Sequence, residues 1–296
     1  MELTYRENQL INRGYDKQTV EKLTYFDMEY AKKISYKISE SLSEGCKSMN
    51  TPEAIYIGGQ PGSGKTTCLR NIKNNWKENN VICIIGLDNY RIYHPNYKLM
   101  EEEINKHWLN KIENDNESKG NDIADFTSNF AGIISDLIIE YLSDKKYNIA
   151  IEWGMRSPLI PLKTMEALKA KGYINKVEFI VTDKKTSKEA CKIRDNILNN
   201  SKIILRRIPN YFHDEAIKTL PYSAEQIFIT GVLEKKFIDD FVLIDRDSNI
   251  LWNKDSEESL IDSYNNYLNS NNSCLNNPEY SKLSFIEETK DYNTKL

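Results

Sequence analysis

The hydrophobic positions of this chain fall into two alternating patterns. Between residues 18 and 44, Val20, Leu23, Phe26, Ala31, Ile34 and Ile38 recur at three- and four-residue intervals without Pro or Gly. That spacing predicts one or two amphipathic helices. Gly45 and Asn50-Thr51-Pro52 break the pattern. Short apolar runs then alternate with longer helical stretches. The runs are Ala54-Ile55-Tyr56-Ile57, Val81 to Ile85, Tyr147 to Ile151, Lys176 to Val181 and Phe241 to Ile244. Helical patterns are expected around Cys68 to Trp76, about 98 to 115, 125 to 143, 161 to 171 and 186 to 199, with a polar loop over Asn114 to Asn121. Arg246-Asp247-Ser248-Asn249 reads as a hairpin turn into Ile250-Leu251-Trp252, and 265 to 296 as a loosely packed polar tail. Short apolar strands alternating with helices predict an α/β fold with a mostly parallel sheet flanked by helices.

Composition narrows the class. The 296 residues are 40% hydrophobic and 28% charged, so a sizeable core is available. A net charge of −4 lacks the bulk positive charge of a general nucleic-acid binder, although it leaves room for a local basic cleft. No apolar run approaches the roughly 20 residues that span a bilayer, and the first residues carry no secretory h-region. The five cysteines are scattered, with neither a disulfide ladder nor a CxxC pair. The expectation is a reduced, soluble, cytoplasmic protein that binds neither nucleic acid nor membrane.

Chemistry enters at Gly59-Gln60-Pro61-Gly62-Ser63-Gly64-Lys65-Thr66, which fits G-x-x-x-x-G-K-[ST] with a strand before it and a helix after it. Such a loop turns successive N–H groups toward phosphate oxygens, and the helix N-terminus adds a favourable dipole. Gly59 through Thr67 are therefore the candidate nucleotide-binding residues. Lys65 is suited to the β- and γ-phosphates, and the Thr66 hydroxyl to Mg²⁺. Asp88, after the second strand, is placed either as the general base for a substrate hydroxyl or as the cap of the next helix. His94 before Pro95 reads as structural. Glu152 ends the third strand where it would hold the metal, bind a substrate hydroxyl or simply face solvent, and Arg156 follows within loop reach. Trp153 either lines a pocket or packs. Arg194 and the Arg206-Arg207 doublet are candidates for neutralising a transferring phosphoryl group, or for ordinary surface pairing.

From about Ile55 to Trp252 the sequence resembles the zeta-toxin family of bacterial epsilon–zeta toxin–antitoxin pairs. The resemblance is carried by Gly58 to Thr66, Asp88 with His94-Pro95-Asn96-Tyr97, the strand from Tyr147-Asn148 to Glu152, and Ala167 to Tyr173. It implies a P-loop kinase-type three-layer fold, with 51–255 as the kinase domain, 1–50 as a helical extension packed on it and 256–296 as a C-terminal helix and polar tail. It further implies an ATP- or GTP- and Mg²⁺-dependent kinase of the 3′-hydroxyl of UDP-N-acetylglucosamine, held inactive by a small helical antitoxin. In that scheme Lys65 holds phosphate, Thr66 and Glu152 serve the metal, and Asp88 is the base. Asp136, Glu152, Arg156 and Thr164 join Asp88 around the sugar nucleotide, and Arg194 with Arg207 or Arg206 supplies transition-state charge. Asp136 stands where the family has a longer Glu, and Trp153 where a small residue is usual, so the acceptor pocket is reshaped. The alternative acceptor is another small hydroxyl compound: a nucleotide, NAD or an antibiotic. A guanine switch is disfavoured, because the nearest N-K-x-D match, Asn175-Lys176-Val177-Glu178, ends in Glu and begins a strand.

Overall fold

A computed structural model describes residues 3–76, 81–84, 86–109, 116–198 and 210–270. The chain divides into two units, and it passes between them more than once. One gathers Met1–Glu44, Gly86–Leu142 and Ile197–Pro209; the other holds Gly45–Ile85, Ser143–Asn196 and Asn210–Leu296.

The first unit is helical. Helix α1 (Tyr5–Asn12) opens with a capping box in which Thr4 and Glu7 each satisfy the other's backbone N–H. Helices α2 (Lys17–Thr24) and α3 (Met28–Ser43) begin at Asp16 and Asp27, whose carboxylates accept from N–H groups of the first turn. The expected helices of 18–44 are thus two, and α1 precedes them. Its sequence gave little apolar signal, since Leu10 is its one buried residue. A 3₁₀ segment, Leu87–Tyr93, leads into α5 (Tyr97–Trp108), and most of α6 (Asn116–Asp144) follows in the same unit. The structure corrects the polar loop expected at Asn114 to Asn121: helix is already formed from Asn116. Tertiary contacts override the weak propensity there. Asp122 accepts from Tyr15 Oη at 2.6 Å and Trp108 Nε1 at 2.6 Å and pairs with Arg13 at 3.0 Å. One turn on, Asp125 pairs with Arg6 and Arg13. These contacts join α1, α2's approach and α5 to α6 around a core of Leu10, Val20, Leu23, Met100, Ile104 and Phe126.

The second unit is built on a six-stranded sheet. Its strands are β1 (Glu53–Gly59), β2 (Ile82–Ile84), β3 (Ile149–Glu152), β4 (Ile174–Ile180), β5 (Asp240–Ile244) and β6 (Ile250–Asn253). They lie in the order β2-β3-β1-β4-β5-β6, the first five parallel and β6 antiparallel to β5. β1 is central, and its residues Ala54 to Gly59 are buried, as a strand covered on both faces requires. Around the sheet run α4 (Lys65–Asn75), α7 (Leu159–Ala170), α8 (Lys184–Leu198), α9 (Asn210–Phe228) and α10 (Leu260–Ser270). α9 carries Pro221 and continues into a π-helical turn, Ile229–Glu234. There Gly231 lets Ile238 pack where a Cβ would stand 2.2 Å from it. The mostly parallel, helix-flanked sheet is the P-loop kinase-type arrangement expected from the alternation of elements. α10 takes the first part of the segment expected as tail, through Ser270; residues 271–296 lie outside the described residues.

Candidate phosphate-binding site

β1 carries the chain out of the sheet centre into the phosphate loop, and α4 carries it back. Two glycines fix that path. Gly62 has φ +75°, and a Cβ there would meet the Ser187 carbonyl oxygen at 2.2 Å, so any side chain would push the loop off α8. Gly64 has φ +98° and caps α4 in the left-handed region without any side-chain cap. The first-turn N–H groups of α4 are thereby left for an anion at the helix N-terminus.

Lys65 folds back along the loop, its Nζ donating to the carbonyls of Gly59 at 3.0 Å and Gln60 at 2.9 Å. Thr66 Oγ1 donates to Glu152 Oε2 at 3.1 Å. Glu152 reaches it because β3 pairs parallel with β1, Glu152 opposite Ile57, which puts both side chains on the sheet face that α4 covers. A hydroxyl and a carboxylate this close are the hard oxygen donors that Mg²⁺ takes alongside phosphate oxygens and water. The described residues contain no group of three or more His, Cys, Asp and Glu side chains fit to hold a metal.

Beyond Glu152 the backbone turns sharply. Met155 holds φ +47°, and its carbonyl accepts from Ser223 Oγ at 2.6 Å. Trp153 packs on Tyr56, ring centroids 5.9 Å apart. Arg156 pairs with Glu215 of α9 at 2.9 Å. Thr164 sits on α7, its hydroxyl donating to the Ile160 carbonyl at 3.2 Å. Arg194 lies on α8 with its Nε buried. Arg206 and Arg207 lie outside the described residues.

Asp88 and Asp136 belong to the first unit. Asp88 occupies the first turn of the 3₁₀ segment, and it is not an N-cap: that position is Gly86, with no side-chain cap. Its carboxylate takes Arg91 Nε at 2.7 Å, and Arg91 in turn donates to the Ala124 carbonyl at 2.6 Å and Thr127 Oγ1 at 2.9 Å. Asp136 stands on α6, where partial desolvation lifts its carboxyl above the usual range. His94 is buried against Phe26 and Phe130 and accepts from the Asn96 N–H at 3.1 Å. Burial pushes its imidazole down to about 4.

Sequence reasoning missed the residues that hold the loop from outside. Thr182 Oγ1 donates to the Ser63 carbonyl at 3.3 Å, and Arg246 Nη1 to the Gly62 carbonyl at 3.4 Å. The parallel order places the end of β4 beside that of β1, and the end of β5 one strand beyond. No local motif marks either residue.

A family model described as Zeta toxin matches residues 39–257. The chain belongs to the zeta toxin family. Among zeta toxin relatives, "Toxin zeta" of Enterococcus hirae is 32% identical over 198 residues, covering 65% of this chain and 62% of that protein. The chain thus spans less than two thirds of that relative. "Toxin PezT" of Streptococcus pneumoniae is 30% identical over 214 residues, covering 71% of this chain and 77% of its own length. A solved structure from work on the PezAT chromosomal toxin–antitoxin system of Streptococcus pneumoniae has a similar fold. It superposes with a TM-score of 0.66 at 24% identity, over 92% of this chain and 98% of that one. Among the described residues, no helix is long and apolar enough to cross a membrane.

Proposed function

We propose that this protein is a Mg²⁺-dependent P-loop kinase that transfers the γ-phosphoryl group of ATP or GTP to the 3′-hydroxyl of UDP-N-acetylglucosamine. It would act as a toxin by draining a cell-wall precursor. The observation that carries the reading is the Thr66–Glu152 hydrogen bond beside Lys65 at the mouth of the phosphate loop. Those three side chains are what a P-loop enzyme needs for triphosphate and metal. Mg²⁺, when bound, would neutralise charge between the β- and γ-phosphates. Thr66 and Glu152 would hold it, Lys65 would leave the loop carbonyls for phosphate oxygens, and Asp88, oriented by Arg91, would take the acceptor's proton. Asp136, Glu152, Arg156 and Thr164 would bind the sugar nucleotide, and Arg194 with Arg207 or Arg206 would offset charge on the transferring group. Family membership also supports a protein antitoxin as partner and the cytoplasm as its place of action.

The test is direct. Purified protein is incubated with MgATP or MgGTP and UDP-N-acetylglucosamine, and products are read by mass spectrometry. A nucleotide sugar heavier by one phosphoryl group is expected. Asp136 and Trp153, where the family resemblance has a longer Glu and a small residue, favour carrying a second reading in the same assay: a nucleotide, NAD or an antibiotic in place of the sugar nucleotide. Phosphorylation of one of these with the sugar nucleotide unchanged would transfer the assignment to that acceptor. Turnover independent of any acceptor would overturn the kinase reading.

A further inference from the structure

Behind the phosphate loop runs a buried chain of hydrogen bonds that phosphoryl transfer does not itself use. Gln60, inside the loop, is almost fully buried, and its Nε2 donates to the Thr182 carbonyl and, at 3.1 Å, to Ser187 Oγ. Ser187 Oγ lies 2.9 Å from His213 Nε2. Ser187 is 0% and His213 2% exposed, so water cannot replace either partner without opening the packing. The chain joins three elements distant in sequence: the loop after β1, the first turn of α8 and the first turn of α9.

We propose that Gln60, Ser187 and His213 are positioning residues for the phosphate loop, and that the uncharged His213 imidazole is part of its phosphate-ready form. The proposal rests on the reading of the loop as a nucleotide site. Steric contact makes the coupling stiff. Gly62 has no clearance from the Ser187 carbonyl or from Cys191 Sγ, so the loop can lie only where α8 allows. α8 is fixed at that point by the Ser187–His213 contact. Ser187 has a single proton to give and already receives one hydrogen bond from Gln60, while the Asp183 carbonyl accepts from it at 3.0 Å. The His213 ring nitrogen closes the chain at Ser187, the imidazole tautomer setting which of the two donates. His213 Nδ1 is buried on the far side of the ring, with Asp214 Oδ1 3.9 Å away.

Charge around His213 resists a second proton. Lys184 and Lys188 of α8 and Asp214 of α9 face it, and Asp214 is engaged by both lysines at 3.1 and 2.8 Å. Burial first, and then Lys188, hold the imidazole below its ordinary value. The neutral form is therefore favoured in the folded state. The brace therefore stays intact below the free imidazole pKa of about 6.5 and weakens only as pH falls through the lowered folded-state value.

Calorimetric titration with a non-hydrolysable ATP analogue and Mg²⁺ tests this on the full chain. Wild type should bind; failure to bind would overturn the nucleotide reading itself, separately from the brace. Ser187→Ala should weaken binding roughly tenfold, the size of losing a buried hydrogen-bond hub. His213→Gln keeps an amide donor toward Ser187 but cannot titrate. It should bind nearly as wild type at about pH 7.5 and hold its affinity as pH is stepped down through the acid range in which both proteins stay folded, while wild-type affinity falls severalfold. Comparing the two proteins cancels the ligand's own titration. A purely structural role for His213 would leave the two pH profiles parallel, and parallel profiles overturn the proposal. So does a folded Ser187→Ala that binds within twofold of wild type. If Ser187→Ala does not fold, the His213→Gln profiles decide alone.

Discussion

Arg91 Nε lies 2.7 Å from Asp88 Oδ1, and the same guanidinium is anchored from behind by the Ala124 carbonyl and Thr127 Oγ1. Arg91 is 6% exposed while the Asp88 side chain is 52% exposed. A buried cation thus aims an open carboxylate. The arrangement holds Asp88 in one orientation, which suits an acceptor-hydroxyl base in a loose phosphoryl-transfer transition state. Asp88→Asn keeps the shape and removes the basicity. Phosphoryl transfer should fall by at least about 100-fold, with nucleotide affinity within a few-fold of wild type. Single-turnover rates alongside equilibrium binding measure both, and near-normal transfer by this variant removes Asp88 from the chemistry.

Lys65 spends its charge on two loop carbonyls at 3.0 and 2.9 Å. A triphosphate offers the ammonium stronger, charge-assisted partners, so Lys65 should exchange the first for the second. Lys65→Ala should cut turnover by about two orders of magnitude or more through lost phosphate contact. Its melting temperature should stay within a few degrees of wild type, because the side chain closes no core. Steady-state phosphoryl transfer and thermal melting are the paired measurements. A large fall in melting temperature with proportionate loss of activity would make Lys65 a structural residue.

Much of this site was legible because its signals are local. The loop motif lies between an apolar strand and a helix within a dozen or so residues, and Glu152 is legible from its place at a strand end. The parallel sheet followed from apolar runs such as Ile55 to Ile57. The brace was not legible: Gln60 lies in the loop motif, but nothing local ties it to Ser187 or His213, which meet it only through tertiary packing. Helix α1 and the start of α6 escaped for a related reason. Asn116 to Asp122 is polar and contains Gly120, and what holds it helical is the tertiary grip of Tyr15, Trp108 and Arg13 on Asp122.

The Thr66–Glu152 hydrogen bond predicts a metal phenotype. Glu152→Gln preserves an acceptor for the Thr66 hydroxyl and removes the negative charge that would attract Mg²⁺. The Mg²⁺ concentration for half-maximal turnover should rise by roughly tenfold or more, with saturating Mg²⁺ recovering part of the rate. A Mg²⁺ titration at fixed nucleotide reads this directly. An unchanged midpoint would take Glu152 out of the metal's surroundings and leave it as a strand-end acid that orients Thr66.

His94 gives the helical unit a pH dependence of definite sign. It is buried to 3% exposure between Phe26 and Phe130, and the Asn96 N–H donates to Nδ1, so the ring is neutral with its proton on Nε2. Burial lowers its pKa from 6.5 to about 4. The unfolded chain therefore binds the proton first as pH falls. Stability from this residue is complete above about pH 6.5 and declines toward pH 4, by on the order of 3 kcal/mol at about 1.36 kcal/mol per pKa unit. His213 slopes the same way, so some acid sensitivity should persist when His94 is replaced. Urea midpoints of wild type and His94→Gln between about pH 7.5 and 4.5 check the assignment. The variant should be less stable at neutral pH, having lost ring packing against Phe26 and Phe130, yet lose visibly less on acidification. Two curves falling in parallel would mean that His94 already reaches water, or accepts its proton at no cost, in the folded state.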